Sequence, residues 1–390
     1  MWTETGILES FLPKGLPVRW HVPVGAGFSG PVVAQGRVYL TDRMKEPQSV
    51  ERVLCFEEAT GKSLWTHSYE CDYGELDGIG RWGNGPRATP TVHEGKVYTL
   101  GTRGRLLCLD AVNGKVLWEK DLVKDYKARV PRWGFSAAPL VEGDALIVCA
   151  AGLPETSVVA LQRDTGKELW AALKDRPAYS SPIAIDAGGK RQVIVWTAET
   201  VTSFEPSTGH IYWQQKFVVG GSDMALATPV LQDDLLLFAS VEGGTIVLKL
   251  DPQKPAATQL FAQQTGRICT GMFTPMFIDR EHICFWDTNS IFRCYNLAAG
   301  KEAWSDRAVE PAHPTLNGKS MFLFTQKGDL ILARIGVAGY QEISRSALVE
   351  PTISKKGFKA VAWSHPAYAN KHVFARNDKE LVCASLEAEP

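Results

Sequence analysis

Short apolar runs, separated by turn residues, set the pattern of this chain. Segments such as "KVYTLG" and "RLLCLD" alternate apolar and polar positions, the period of a strand whose two faces pack differently. No segment sustains a helical period. The stretch "RLLCLDAVNGKVLWEKDL", from Arg105 to Leu122, is an apolar run, an Asn-Gly turn and a second run carrying a Trp, which predicts a β-hairpin. Nearly the same sentence recurs as "RVLCFEEATGKSLWTHSY" from Arg52 and "SVVALQRDTGKELWAALK" from Ser157. A turn signal repeated at intervals of about fifty residues is an architecture, not a local event.

Aligned on this turn, five copies end in Trp65, Trp118, Trp170, Trp213 and Trp304, and a degraded copy ends in Phe261. "LARIGVAGYQEISR" is a second degraded copy. Upstream of each lies another repeat: a small or polar residue, a Pro, an apolar run, a turn and another apolar run. It occurs eight times, at Pro31, Pro90, Pro139, Pro182, Pro229, Pro275, Pro314 and Pro366. Each unit therefore holds four short strands. Such a sheet cannot bury both faces alone, but blades packed around an axis can. The pattern predicts an all-β, eight-bladed β-propeller of four-stranded antiparallel blades. Expected blade limits are 28–68, 88–122, 136–173, 179–217, 226–263, 272–306, 311–345 and 363–386, in one domain. The last unit stops after three strands. A lone strand at 16–24, "GLPVRWHVPV" with Trp20, is expected to complete it and close the ring.

Composition narrows the function. The 390 residues carry a net charge of −1, so no global field draws the protein to nucleic acid or to an anionic membrane. No apolar stretch is long enough for a transmembrane helix. The opening "MWTETGILESFLPKGLP" lacks the basic and apolar regions of a signal peptide. None of the eight cysteines forms a Cys-x-x-Cys or adjacent pair, which argues against a zinc ribbon or redox motif. Free, buried thiols are expected instead.

"EEATGKSLW" and "LQRDTGKELW" resemble the tryptophan-docking motif of the pyrroloquinoline-quinone-like propellers, and the resemblance covers nearly the whole chain. It implies a propeller of the exported bacterial type, periplasmic or in the cell envelope, with the cytoplasm as the alternative. The family includes quinone-dependent alcohol and glucose dehydrogenases. It also includes non-catalytic propellers, such as the lipoprotein of the outer-membrane β-barrel assembly machinery. The dehydrogenases carry an adjacent cysteine pair and a Ca²⁺ ligand set, and the sequence offers neither. The expected function is therefore binding or scaffolding, by a monomer, with a protein or a small saccharide or anionic ligand as partner. The alternative is a quinone-dependent oxidoreductase with a divergent site, using pyrroloquinoline quinone and Ca²⁺.

Strand parity puts the outer-to-inner and second-to-third connections on one face. The long segments Thr66–Arg87, Glu119–Phe135, Ser344–Trp363 and Asp42–Arg52 fall there. Function is expected on that face. The residue three before each key Pro should line the axis: Phe28, Arg87, Ser136, Tyr179, Leu226, Met272, Pro311 and Trp363. "GRWGNGPR" and "VPRWGF" place Arg81, Trp82, Arg87, Arg132 and Trp133 beside it. Arg offers a planar fork for carboxylate or phosphate, and Trp a face for a ring. The plain alternative is an Arg–Trp stack that holds loops together. The candidate ligand site is Arg81, Trp82, Arg87, Arg132, Trp133, Tyr179, Trp363 and His365. His313 and His365 precede key prolines in adjacent blades and could face a pore. Asp223 reads as a turn residue, and "CDYGELDG" from Cys71 as a solvated loop. No catalytic set and no metal set is expected.

Overall fold

A computed structural model describes residues 2–78, 85–263, 273–353 and 359–388. It contains eight four-stranded antiparallel sheets, in seven of which all neighbours are sequential strands. The first runs from the inner strand Val32–Ala34 through Arg37–Met44 and Val50–Glu57 to the outer strand Ser63–Glu70. The inner strands of successive blades approach one another around a central axis. The second and third strands carry nearly all of the buried apolar side chains, so the core is a set of sandwiches between blades.

The eighth sheet consists of Ala367–Ala369, His372–Arg376 and Glu380–Ser385, completed by Val18–Pro23 from the other end of the chain. Trp20 stands opposite Cys383 in that antiparallel pair. This is the closure expected from the sequence. The segment before the closing strand adds to it, which the sequence did not suggest. Leu8 N–H donates to Leu386 O at 2.8 Å, and the amides of Phe11 and Leu16 donate to Ser344 and Ser346 Oγ at 2.9 Å each. Trp2 stacks on Tyr368, with ring centroids 4.7 Å apart. Arg376, fully buried at this seam, donates to the carbonyls of Thr41, Gly25 and Asn377 and so ties the eighth blade to the first.

The recurrent Trp residues join neighbouring blades. Indole N–H groups of Trp20, Trp65, Trp118, Trp170 and Trp304 donate to carbonyls of Glu58, Ala111, Arg163, Pro206 and Gly336, each in the turn of the next blade, at 2.8–3.1 Å. Under Trp20, Trp65, Trp118 and Trp170 the turn glycine lies against the ring, whereas the glycines of the turn that receives Trp304 do not. A β-carbon at Gly114 would stand 2.5 Å from Trp65, and one at Gly61 would stand 2.7 Å from Trp20. The degraded fifth copy breaks the pattern for a chemical reason. Its turn has no glycine, and the Trp213 N–H turns instead to Gln192 Oε1 in its own blade at 3.0 Å.

Three expectations are corrected. The Asp42–Arg52 segment is an extended hairpin rather than a long loop, because its charges pair across the strands: Arg52 grips Asp42 at 2.8 and 2.5 Å. "CDYGELDG" is anchored, not merely solvated. Tyr73 is buried and donates to Glu51, while Arg43 covers the Tyr73 ring at 3.6 Å and pairs with Asp77 at 2.6 Å. Pro311, expected at the axis, stands outside the channel lining. The seven described cysteines are free thiols, and Cys269 lies outside the described residues.

Docking predicts an asymmetry between two turn glycines of the second blade. Gly114 (φ +72°) lies under Trp65, whereas Gly95 (φ +74°) faces open space. Gly95→Ala should cost about 1–2 kcal/mol of backbone strain. Gly114→Ala adds the overpacking term and should cost about 1–3 kcal/mol more. Equilibrium denaturation of both variants checks this, and equal losses would contradict it.

Candidate functional site

A cavity of about 770 Å³ occupies the axis, within the size range of small-molecule sites. Because alternate residues of an extended segment share a side, two positions of each Pro repeat point inward. The residue three before the Pro supplies Phe28, Arg87, Ser136, Tyr179, Leu226 and Trp363. The residue one before the Pro supplies Thr89, Ala138, Ser181, Thr228, Thr274, His313 and His365. The sequence reading used this second layer only for its two histidines. The phrase "small or polar, then Pro" was the available signal for the rest.

Met272, Arg81 and Trp82 lie outside the described residues. Pro311 does not line the cavity. In the seventh blade the inner strand starts early, at Ala312, and the Pro311 carbonyl accepts the Gln326 N–H at 2.9 Å, so His313, Pro314 and Thr315 face the lumen instead. Asp223 is a left-handed turn residue (φ +55°) paired with Arg176, not an axial carboxylate.

Arg87 and Arg132, both expected at the ligand site, separate. The Arg87 guanidinium lies 4.2 Å from the Phe28 ring centroid and donates to Gly85 O at 3.2 Å. It forms no salt bridge among the described residues, and burial lowers its pKa. Phe28 continues the stack to Trp363, whose ring centroid is 6.5 Å away. Arg132 is exposed, outside the cavity lining, with its guanidinium 5.5 Å from the Trp133 ring. Trp133 does line the cavity, and its backbone N–H donates to the Tyr179 hydroxyl at 3.4 Å. Burial pushes that phenol up to about 12.

The histidines meet, with ring centroids 6.2 Å apart. His313 Nε2 donates to Trp363 O at 2.8 Å, which leaves Nδ1 as an acceptor. Burial, with the nearby His365, pulls the His313 pKa down to about 4. His365 is open to lumen water yet ringed by channel wall, and burial there lowers its pKa too. Both imidazoles are neutral at pH 7. Among the described residues no three His, Cys, Asp or Glu side chains converge on a metal position.

Pyrroloquinoline quinone with Ca²⁺ is the cofactor suggested by the propeller motif. Ca²⁺ takes six to eight oxygen ligands, usually including carboxylates. The described lining offers no Asp, Glu or Asn, and its one charged group is the cation Arg87. These residues do not fit Ca²⁺. The aromatic walls and Arg87 remain compatible with a flat or anionic molecule.

A family model described as outer membrane protein assembly factor BamB matches residues 49–306. The chain belongs to this family of pyrroloquinoline-quinone-like propellers. BamB of Shewanella oneidensis is 22% identical over 320 residues, covering 77% of this chain and 73% of that protein. Quinohemoprotein alcohol dehydrogenase ADH IIB of Pseudomonas putida is 28% identical over 173 residues, covering 41% of this chain and only 24% of the dehydrogenase. Among solved structures, BamB from Moraxella catarrhalis superposes with a TM-score of 0.63 at 15% identity, covering 95% of this chain and 99% of that one. Quinohemoprotein alcohol dehydrogenase from Comamonas testosteroni gives 0.64 at 13% identity, covering 97% and 77%. The structural likenesses establish the shared propeller. The family match across most of the chain supports a binding or scaffold role, with the dehydrogenases as more distant relatives.

The histidine pair gives a pH signature. The folded state holds His313 near pKa 4, while the unfolded chain titrates near its ordinary 6.5. Between those values the unfolded state binds more protons, so stability should fall as pH drops from about 6.5 toward 4, with His365 contributing in the same direction. His313→Gln, which keeps a donor and removes the titration, should flatten that slope in denaturation midpoints measured across this range. An unchanged slope would contradict the assignment.

Proposed function

We propose that this protein is a non-catalytic binding or scaffold propeller of the bacterial cell envelope, acting as a monomer. Its partner is a protein, held on the long-connection face around the channel mouth. The observation that carries this is the match to the outer membrane protein assembly factor family over residues 49–306, against dehydrogenase likeness confined to part of the chain. The relatives' names support the exported compartment. Among the described residues no helix is long and apolar enough to cross a membrane.

The mouth has the chemistry of a docking surface. Arg132 and Trp133 sit on an ordered connection after the helix Leu122–Tyr126, whose first turn is capped by Asp121. Arg and Trp are enriched among residues that dominate interface energies. We assign Arg132 and Trp133 to the partner contact. Arg87, Tyr179, Trp363 and His365 form the lumen beneath them.

The test is co-purification with the outer-membrane β-barrel assembly machinery of the source cell. Arg132→Ala combined with Trp133→Ala should reduce recovery at least about tenfold, since each such anchor contributes on the order of 1–2 kcal/mol or more. Thermal stability should stay near that of the parent. Undiminished recovery would remove the mouth as the contact.

The local likeness to quinohemoprotein dehydrogenases favours one second reading, a quinone-dependent oxidoreductase. Incubation with pyrroloquinoline quinone and Ca²⁺ followed by gel filtration separates the two. The scaffold reading predicts no retained quinone absorbance and no alcohol-dependent dye reduction. Retention with turnover would establish the oxidoreductase.

A further inference from the structure

We propose that the central channel is a binding site for a small acidic saccharide, a mono-uronate of one or two sugar units. The site lies in the lumen, beneath the mouth assigned above to a protein partner.

The charge sets the first requirement. Arg87 is the only charged side chain in the described lining, because burial keeps His313 and His365 neutral at pH 7. Among the described residues it makes one hydrogen bond, to Gly85 O, and packs over Phe28. Among those residues the rest of its fork has no carboxylate to meet. A planar fork with donors to spare in a lumen without anions selects a single carboxylate.

The walls set the second requirement. Phe28, Trp133, Tyr179 and Trp363 present aromatic surface in the upper layer. Below them the hydroxyls of Thr89, Ser181, Thr228 and Thr274 come from four different blades. Two of these hydroxyls already accept backbone N–H groups: Thr89 from Gly30 at 3.3 Å and Ser181 from Ala138 at 2.9 Å. Ser181 therefore keeps its own O–H as a donor toward the lumen, Thr89 Oγ1 also pairs with His365 Nε2 at 3.4 Å, and His313 Nδ1 offers an acceptor. A flat aromatic acid would satisfy Arg87 and the rings but leave this polar belt facing apolar carbon, which is unfavourable. A sugar ring carries donors and acceptors around its rim and C–H faces for the aromatics. A volume of about 770 Å³ accommodates a disaccharide.

The experiment is calorimetric titration of the full chain with cellobiouronate, using cellobiose and benzoate as comparison probes. Binding of cellobiouronate is expected, with quenching of Trp fluorescence as Trp133 and Trp363 are covered. Cellobiose and benzoate should each bind at least about tenfold more weakly, since each lacks one half of the recognition. Arg87→Gln should weaken cellobiouronate about 10–100-fold and leave cellobiose unchanged. Thr228→Val should weaken both sugars about 3–10-fold and spare benzoate. A circular dichroism spectrum matching the parent qualifies each variant, and the comparison of three probes on the parent stands without any variant. Failure of the parent to bind cellobiouronate at millimolar concentration would overturn the proposal, as would benzoate binding as tightly. Equal binding by Arg87→Gln would also overturn it. Trp133 borders both sites, but sugar binding is read on Arg87 and Thr228 and recovery of the assembly machinery on Arg132 at the mouth, so either result can fail alone.

Discussion

Everything in this molecule depends on how a thin sheet finds a partner for each of its faces. One blade exposes two apolar surfaces and cannot stand alone. The device that joins blades is an indole laid across the turn of the next sheet, with its N–H on a backbone carbonyl and its ring on a glycine. The bond satisfies the one polar group of a large apolar side chain. The glycine supplies both the left-handed backbone and the absence of a β-carbon. Because the contact runs from one blade to the next at five of the eight junctions, it becomes useful throughout only when the ring closes. Trp20 makes the closing contact, since its strand completes the eighth sheet while its indole docks on the first.

Closure has a local cost that the seam meets in full. Two charged groups are buried there. Arg376 is satisfied by three carbonyls, and Asp42 by Arg52 and the Gly25 amide. A buried charge without such partners would be strongly destabilising. The same seam positions Phe28 and Trp363, on the first and last blades, side by side in the channel. The geometry of the lumen is thus a product of ring closure and not of any one blade.

Much of this was legible from the chain alone. Eight Pro repeats and five Gly turns ending in Trp, three of them Thr-Gly-Lys or Asn-Gly-Lys, encode the blade count, and the missing fourth strand of the last unit encodes the closure. The fixed spacing of three residues before each key Pro also placed Arg87, Tyr179 and Trp363 at the axis. Three things were hidden. Asp42, Arg43, Glu51 and Arg52 looked like loop residues because charge inside a strand is rare, and only their mutual pairing explains it. The early strand at Ala312 shifted the seventh blade, since a Pro marks an element edge without fixing on which side the pairing begins. The grip of residues 2–17 on the last two blades left no periodic trace, being made of single bonds to Ser344, Ser346 and Leu386. Periodicity records only packing within the chain, so it carries no signal for what the long-connection face binds.

The most direct test of the closed ring is hydrogen exchange, read by mass spectrometry across all eight blades, in Trp20→Ala against the parent. If the ends fasten the circle, protection should fall on both sides of the seam, in Val50–Glu57 of the first blade and Glu380–Ser385 of the eighth, and the remaining blades should follow at the global rate. Unchanged protection in those two strands would contradict the account.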